Sequence, residues 1–394
     1  MNLLFYDDSP VFGGHEVMAL LGLEAVLADF SGPIRFLASL ANVKLCEQVA
    51  ALAMRYPQLI LETLDYDSSK LEALRNTLQP WRVRRLAEHF HQIHPALVVA
   101  IQGNIEHSSL ALHAARRAAI PCTSYIPVPH SNAEMGARLG SLRDRWASRL
   151  FKLPDSFITI TDEMGKHLTR RGATAPIHIV YNGIDTARFH PGDPEAACRQ
   201  LALPIDKIRI GMIGRIEFRQ KQQHLLVQAL ASNPALAAAC HLVFAGDGPD
   251  HSALENQIHQ HHLSGTVLPW CDPAVLYHAL DALIIPSRYE GLPLVMLEAL
   301  ASATAVLGSD RDGMKDVLPA DWRFEPNSVV ALAATLASFI AQDCPRPTPK
   351  LVARVRDTLS LASFRDSFSS TLLVLARNPD ALSGLQKSAS LPHP

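Results

Sequence analysis

The stretch IIPSRYEGLPLVMLEALASATAV, Ile284 to Val306, decides how the chain is read. An apolar strand ends at Pro286, a polar turn carries Glu290 and Gly291, and a helix begins near Pro293. Proline suits a first helical turn, where its missing N–H is not needed. The amides of Gly291, Leu292 and Leu294 then stand at the positive end of a helix, a place suited to phosphate. Glu298 falls about one and a half turns further in. A carboxylate only accepts hydrogen bonds, so it can grip two adjacent hydroxyls such as those of a ribose. Glu290, in the turn, can do the same for a sugar. Taken alone, the two glutamates are equally well a helix cap and part of a solvated face.

A second cluster fits the first. In IGMIGRIEFRQKQQHLLVQAL, Ile210 to Leu230, a strand runs into a Gly–Arg turn, and a helix follows whose N-terminal region carries Lys221. Arg215 and Lys221 can converge on one diphosphate, the guanidinium as a fork and the ammonium as a point charge. Arg219 is a third cation nearby, on the surface. Taken singly, Arg215 is also compatible with a plain surface turn. Cleaving a sugar–phosphate bond requires stabilising the charge that grows on the departing diphosphate. Two fixed cations plus helix amides do this without metal.

Outward from these clusters, short apolar runs alternate with helical patterns. The first half offers NLLFYD, IRFLA, LILETL, ALVVAIQ, CTSYIPV and SFITIT as strands. The second offers IRIGMIGR, HLVFAGDG, TVLPW, ALIIPS and AVLGS. Alternation of this kind means βαβ units and parallel sheets. It pauses at PGDPEAACRQLALPID, Pro191 to Asp206, so two doubly wound α/β domains are expected. Their spans are residues 1–185 and 186–362, with room for a nucleotide on one and an acceptor on the other. Residues 363–394 are expected to form a helix crossing back to the N-terminal domain, then a frayed tail. Ligands sit beyond the carboxyl ends of parallel strands, so two facing sheets would make an interdomain cleft.

Composition agrees. At 394 residues the chain exceeds one ordinary core, and 48% apolar with 19% charged residues allows packed interiors. The net charge of −2 gives no general attraction to nucleic acid. Six scattered cysteines without a CxxC pair read as reduced thiols. With no signal-peptide pattern and no run long enough to span a membrane, a cytoplasmic location is expected.

Here the resemblance becomes specific. IPSRYEGLPLVMLEALA, with Glu290 and Glu298 eight apart, resembles the signature of the family-4 retaining glycosyltransferases (glycosyl transferases group 1), which have the GT-B fold. GRIEFRQKQQHLL is similar to the same family's Gly-Arg…Lys segment, VYNGIDTARFHP to its interdomain segment, and SDRDGMKDVL to the loop after the signature helix. HLVFAGDGPDHSAL is similar to its next strand–loop–helix, and the match runs nearly continuously over residues 178–320. FYDDSPVFGGHEVMAL resembles the family's first strand, Gly-Gly loop and helix.

The resemblance implies roles. Arg215 and Lys221 would hold the donor diphosphate, Glu298 the nucleotide ribose, and Glu290 the transferred sugar. Gly291, Leu292 and Leu294 would offer amides near the sugar and phosphates. Gly13 and Gly14 would let the N-terminal backbone approach the donor, and on their own they are equally a strand–helix turn. His130 is the nearest candidate for the family's catalytic-loop histidine. Gln102 and Asn104, after ALVVAIQ, are candidates for contact with a sugar, and Leu268 to Cys271 for the base pocket. The chain departs from the pattern at Gln222, where the family usually has glycine, and at Ser302-Ala303.

The implied activity is metal-independent, retaining transfer of a hexosyl group from a UDP- or GDP-sugar to a glycan or lipid-linked acceptor. The implied setting is cell-surface polysaccharide assembly, including lipopolysaccharide. The alternative is a catalytically silent GT-B subunit that binds sugar nucleotide or glycan. A GT-B epimerase fits the Glu298 helix less well. Asp65-Tyr66-Asp67, Asp310-Arg311-Asp312, His89-Phe90-His91 and His259-Gln260-His261-His262 are not read as metal sites, and no cofactor is expected. RLGSLRDRWASRLFKL, Arg138 to Leu153, mixes basic residues with Leu, Trp and Phe. As a helix it could lie on an anionic membrane surface at the inner face of the cytoplasmic membrane, or place its apolar side on the core.

Overall fold

Strands buried on both faces must be apolar throughout, and Leu3–Asp7 (β1) and Leu97–Ile101 (β4) are buried at every residue. In the computed structural model, which describes residues 1–69 and 71–377, these two strands adjoin at the centre of a seven-stranded sheet. Its other members are Ile34–Ser39 (β2), Leu59–Leu64 (β3), Cys122–Tyr125 (β5), Ser156–Thr159 (β6) and Ile177–Ile179 (β7). The order is β3-β2-β1-β4-β5-β6-β7, and every pairing is parallel.

The second sheet contains Ile208–Ile213 (β8), Cys240–Ala245 (β9), Gly265–Leu268 (β10), Ala282–Ile285 (β11), Ala305–Ser309 (β12) and Arg323–Phe324 (β13). Its order is β10-β9-β8-β11-β12-β13, again all parallel. All the strands read from the sequence are present.

The chain divides into two compact units. The first comprises Met1–Tyr181 with the described residues from Phe364 onward, and the second Asn182–Ser363. Helix Leu361–Arg377 supplies that returning segment. Phe368 packs edge-on to Tyr125 with ring centroids 5.4 Å apart, and the Ser369 hydroxyl donates to Asp29 at 2.6 Å. The tail expected beyond Pro379 lies outside the described residues.

In each sheet the strand order reverses direction at one place: between β1 and β4 in the first unit, and between β8 and β11 in the second. The loops leaving such a pair of strands run to opposite sides and open a crevice at their carboxyl ends. In the second unit those loops are Gly214–Gln222 and Pro286–Pro293, the two stretches singled out from the sequence. In the first unit they contain Asp8–Gly13 and Gln102–Ser108.

Candidate functional site

The second unit brings its two clusters together. The Lys221 ammonium donates to Glu290 Oε1 at 2.6 Å across 69 positions of sequence. The loops are also tied through backbone, with the Arg288 amide donating to the Gln220 carbonyl at 2.8 Å. Glu290 is buried, and its own amide donates to Asp312 Oδ2 at 2.8 Å. Asp312 also accepts from Arg311 Nε at 3.0 Å, and the Gly313 amide donates to the Gly291 carbonyl at 3.0 Å. The loop after β12 therefore holds the Glu290–Gly291 turn from behind. This role for Asp312 was missed in the sequence, where Asp310-Arg311-Asp312 was set aside as a metal triplet and SDRDGMKDVL was matched only as the loop after the signature helix.

Helix Leu294–Ala301 starts where expected, with Pro293 at its N-cap and Leu294 in its first turn; Gly291 and Leu292 precede it and are buried. Glu298 is met from outside its own helix, by the Tyr277 hydroxyl at 2.7 Å. Burial pushes the Glu298 carboxyl above the usual range, and burial beside that carboxylate pushes the Tyr277 phenol well up. Tyr277 is fully buried, and the Thr304 hydroxyl donates to its carbonyl at 2.6 Å. Glu298 is thus a half-buried carboxylate held by one fixed donor, not a residue of a solvated face.

Arg215 stands apart from this pair. It is 66% exposed and its nearest ionic partner is Glu217, at 3.7 Å. Its backbone is fixed, because the Gln223 amide donates to its carbonyl at 2.9 Å. Gly214 just before it has φ +124, and the left-handed Gly246 at the end of β9 comes so close that a Cβ there would lie 2.2 Å from the Gly214 carbonyl oxygen. Only glycine fits that junction. Gln222, the departure from the family pattern, adopts φ +57 and ψ 39, left-handed backbone at which glycine carries no penalty. Its side chain donates to Asn327 Oδ1 at 2.8 Å. Leu268, at the end of β10, leads to Trp270, which is 75% exposed, and half-buried Cys271.

In the first unit the crevice between β1 and β4 is lined by buried acids. Asp8 is pushed up to about 6 by burial, although the Ser108 amide at 2.8 Å and the Tyr6 hydroxyl at 3.2 Å both donate to it. Asp7 is raised well above the usual range by burial, with Glu16 adding to the shift. Gly13 is the N-cap and Gly14 the first residue of helix Gly14–Asp29. The Gly13 amide donates to Glu16 Oε2 at 2.7 Å, and Glu16 Oε1 lies 2.9 Å from His15 Nε2. His15 lies over Gly103, where an added Cβ would come within 2.6 Å of the ring. Neither Glu16 nor Gly103 was a sequence candidate, and QGN directly after a buried strand was the available signal.

Gln102 is turned into the protein. It is fully buried, donating to the carbonyls of Ile105 and His107 and accepting from Ser124. Asn104 builds the same turn, its Oδ1 accepting from the Glu106 amide at 2.9 Å. The chain bends back after β4, and both amides satisfy that bend. His130 is 2% exposed, with Nδ1 3.7 Å from Glu134 Oε2 and its ring edge-on to His167 at 4.9 Å. The neighbouring His130 draws the Glu134 carboxyl far below its usual range. Burial lowers His107 to about 4. Among the described residues, His130–Glu134–His167 and Asp7–His15–Glu16 each bring three possible metal ligands within 4.8 Å of one another.

Arg138–Leu153 forms helix Gly140–Ala147 and a short 3-10 turn, Ser148–Lys152. Leu150 and Phe151 are buried, but Leu139, Leu142 and Trp146 are exposed at 65, 52 and 42%. Leu142 and Trp146, four apart in the helix, share a face that leaves the core, and Leu139 stands at its N-cap in left-handed backbone. No helix among the described residues is long and apolar enough to cross a membrane.

Two family profiles match the chain, one described as Glycosyltransferase Family 4 over residues 54–188 and one as Glycosyl transferases group 1 over residues 194–354. The chain is 28% identical over 284 residues to a glycogen synthase of Mycobacterium tuberculosis, covering 68% of this chain and 64% of that protein. It spans less than about two thirds of the length of the curated relatives it matches. Among solved structures, HepE of Anabaena in complex with UDP is similar with a TM-score of 0.74 and 17% identity, over 95% of this chain and 100% of that one. The lipopolysaccharide outer core galactosyltransferase WaaB, in its apo form, gives 0.70 and 17%, over 95 and 99%. At such identities the likeness is one of fold. Two parallel-sheet Rossmann-like units, each met by its own profile, place the chain in the glycosyltransferases of family 4, with the GT-B fold.

Proposed function

We propose that the chain is a retaining, metal-independent glycosyltransferase that moves a hexosyl group from a UDP- or GDP-sugar to a glycan or lipid-linked acceptor. The observation that carries this reading is the Lys221–Glu290 pair at the switch point of the second sheet, beside the amides that open helix Leu294–Ala301. Lys221, with Arg215 reaching in from its exposed turn, would hold the diphosphate, and the helix amides would add to them. Glu298, braced by Tyr277, would take the ribose hydroxyls; Glu290 would face the sugar. UDP in the HepE structure supports a uridine nucleotide, and the names glycogen synthase and WaaB support a glycan acceptor in polysaccharide or lipopolysaccharide assembly.

In this reading the bond between the anomeric carbon and the diphosphate oxygen breaks first. Lys221, Arg215 and the amides take up the charge on the departing oxygen. The acceptor hydroxyl attacks from the same face, and its proton passes to that phosphate oxygen, so configuration is kept. Positioning and charge stabilisation are the protein's contribution.

Leu142 and Trp146, exposed beside Arg145 and Arg149, support peripheral contact with an anionic membrane face where lipid-linked acceptors lie. The burial of His130 favours the second reading, a silent sugar-nucleotide-binding subunit. Nucleotide release from a panel of UDP- and GDP-sugars, with and without glycan acceptors, separates the two. Turnover that disappears in Lys221→Ala supports transfer. Nucleotide binding without turnover of any donor supports the silent subunit.

A further inference from the structure

The first unit carries a further concave surface, whose lining does not include Asp7, Asp8, Glu16 or Gly103. A groove of about 660 Å³ runs between the edge strand β3 and helix Pro80–Ile93. That volume lies within the range of small-ligand pockets, roughly 300–1,000 Å³. The helix has two working faces. Leu86, Ala87, Phe90 and Ile93 are buried in the core. Trp81, Arg85, Glu88 and Gln92, spaced four, three and four apart, form a stripe along the groove.

The chemistry of that stripe is specific. Trp81 is 62% exposed, an aromatic face kept in water at the mouth of a groove and not folded onto the core. Across from it the edge strand contributes Glu62, which is already held by Arg35 and by His89 Nε2 at 2.8 Å. Arg85, Glu88, Gln92 and Asp65 are exposed and make no side-chain hydrogen bond or ion pair among the described residues. Acids and bases are interspersed along the walls, so the groove offers no single-sign field for an anion or a cation. Nor is it apolar enough for a protein hot spot, where charged residues are depleted. What it offers is one exposed indole face among fork-shaped donors and acceptors, with Leu64, Leu86, Leu110 and the Tyr66 ring also in its lining. A neutral saccharide matches it, with one axial C–H face for stacking on indole and pairs of vicinal hydroxyls for carboxylate, amide and guanidinium groups.

We infer that this groove is a saccharide-binding subsite that takes a neutral oligosaccharide with one ring stacked on Trp81. Resting on the transfer reading above, it would dock part of a glycan acceptor at a distance from the reacting hydroxyl. Such remote binding serves to position the acceptor.

The test titrates the full chain with neutral tetrasaccharides (α-1,4-glucan, β-1,4-glucan, α-mannan and β-galactan) by calorimetry, and with UDP and GDP as separate ligands. At least one tetrasaccharide should bind, and Trp81→Ala should weaken it about tenfold or more, as loss of an anchoring aromatic does. Trp81→Phe should restore most of the affinity, Glu88→Ala should weaken it further, and melting temperature and UDP affinity should not move. Failure of all four sugars to bind at millimolar concentration, or undiminished binding by Trp81→Ala, would overturn the inference. Trp81-dependent saccharide binding by a chain that binds neither UDP nor GDP would sustain the groove and sink the transfer reading instead.

Discussion

Removing one oxygen, in Tyr277→Phe, isolates the brace on Glu298. The ring is fully buried and its volume is nearly conserved, so little cavity forms, and the change is confined to the 2.7 Å bond to Glu298. A hydrogen bond to a charged group is worth about 1.5–3 kcal/mol, against about 1 kcal/mol for a neutral one. Glu298 already holds its proton more tightly in the fold than in the unfolded chain, because burial disfavours the carboxylate. Its contribution is therefore fullest below the unfolded value of 4.5 and is lost as pH rises through the folded value. Without the Tyr277 donor, which lowers it, the folded value rises further, and the loss with pH steepens. Melting followed by calorimetry should show a wild-type advantage of roughly 3–12 °C at about pH 8, shrinking to a few degrees at about pH 4. An equal gap at both pH values, or none at the higher one, would refute the assignment of Tyr277 as the donor that keeps Glu298 ionised.

Three further outcomes are expected. Glu298→Ala should weaken UDP binding about 10–100-fold by calorimetry, and unchanged affinity would remove Glu298 from the ribose. At position 222, where the backbone is left-handed, Gly should give a chain about 1 kcal/mol more stable than Ala in urea unfolding, the reverse of the usual order, since both lose the Asn327 bond and only Ala keeps a Cβ. Asp8→Asn should flatten stability against pH: with the folded value near 6 and the unfolded value 3.8, wild type loses on the order of 3 kcal/mol as pH rises across that window. A matching slope in the Asn variant would show that Asp8 does not titrate there.

Much of the fold was legible because strands buried on both faces are written as continuous apolar runs such as LVVAI and ALII, and helices between them as three-to-four periodicity. The Glu290 turn and the Lys221 loop were legible for the same reason, each following such a run. Their union was not, since 69 positions separate them and only the order β8-β11 makes them neighbours. Tyr277 was invisible as a partner because a buried aromatic in a helix ordinarily means packing. Gln102 was misjudged because the carboxyl end of a strand was taken to point outward, while the turn at Ile105–His107 curls back and captures the amide. The acids Asp7, Asp8 and Glu16 drew no reading in the sequence, and only the folded chain shows them under cover.

The Gly13 amide and Glu16 form, in effect, a binding event that has already happened. The helix opening there carries the partial positive charge that recruits anions, and the chain answers it with its own carboxylate at 2.7 Å. Any anion from solution enters by exchange, as a competitor of a tethered ligand. Displacing a bond worth about 1.5–3 kcal/mol weakens a lone phosphate or sulfate by roughly ten- to a hundredfold. Glu16 thus occupies, from within the chain, the helix opening that a small anion would otherwise take.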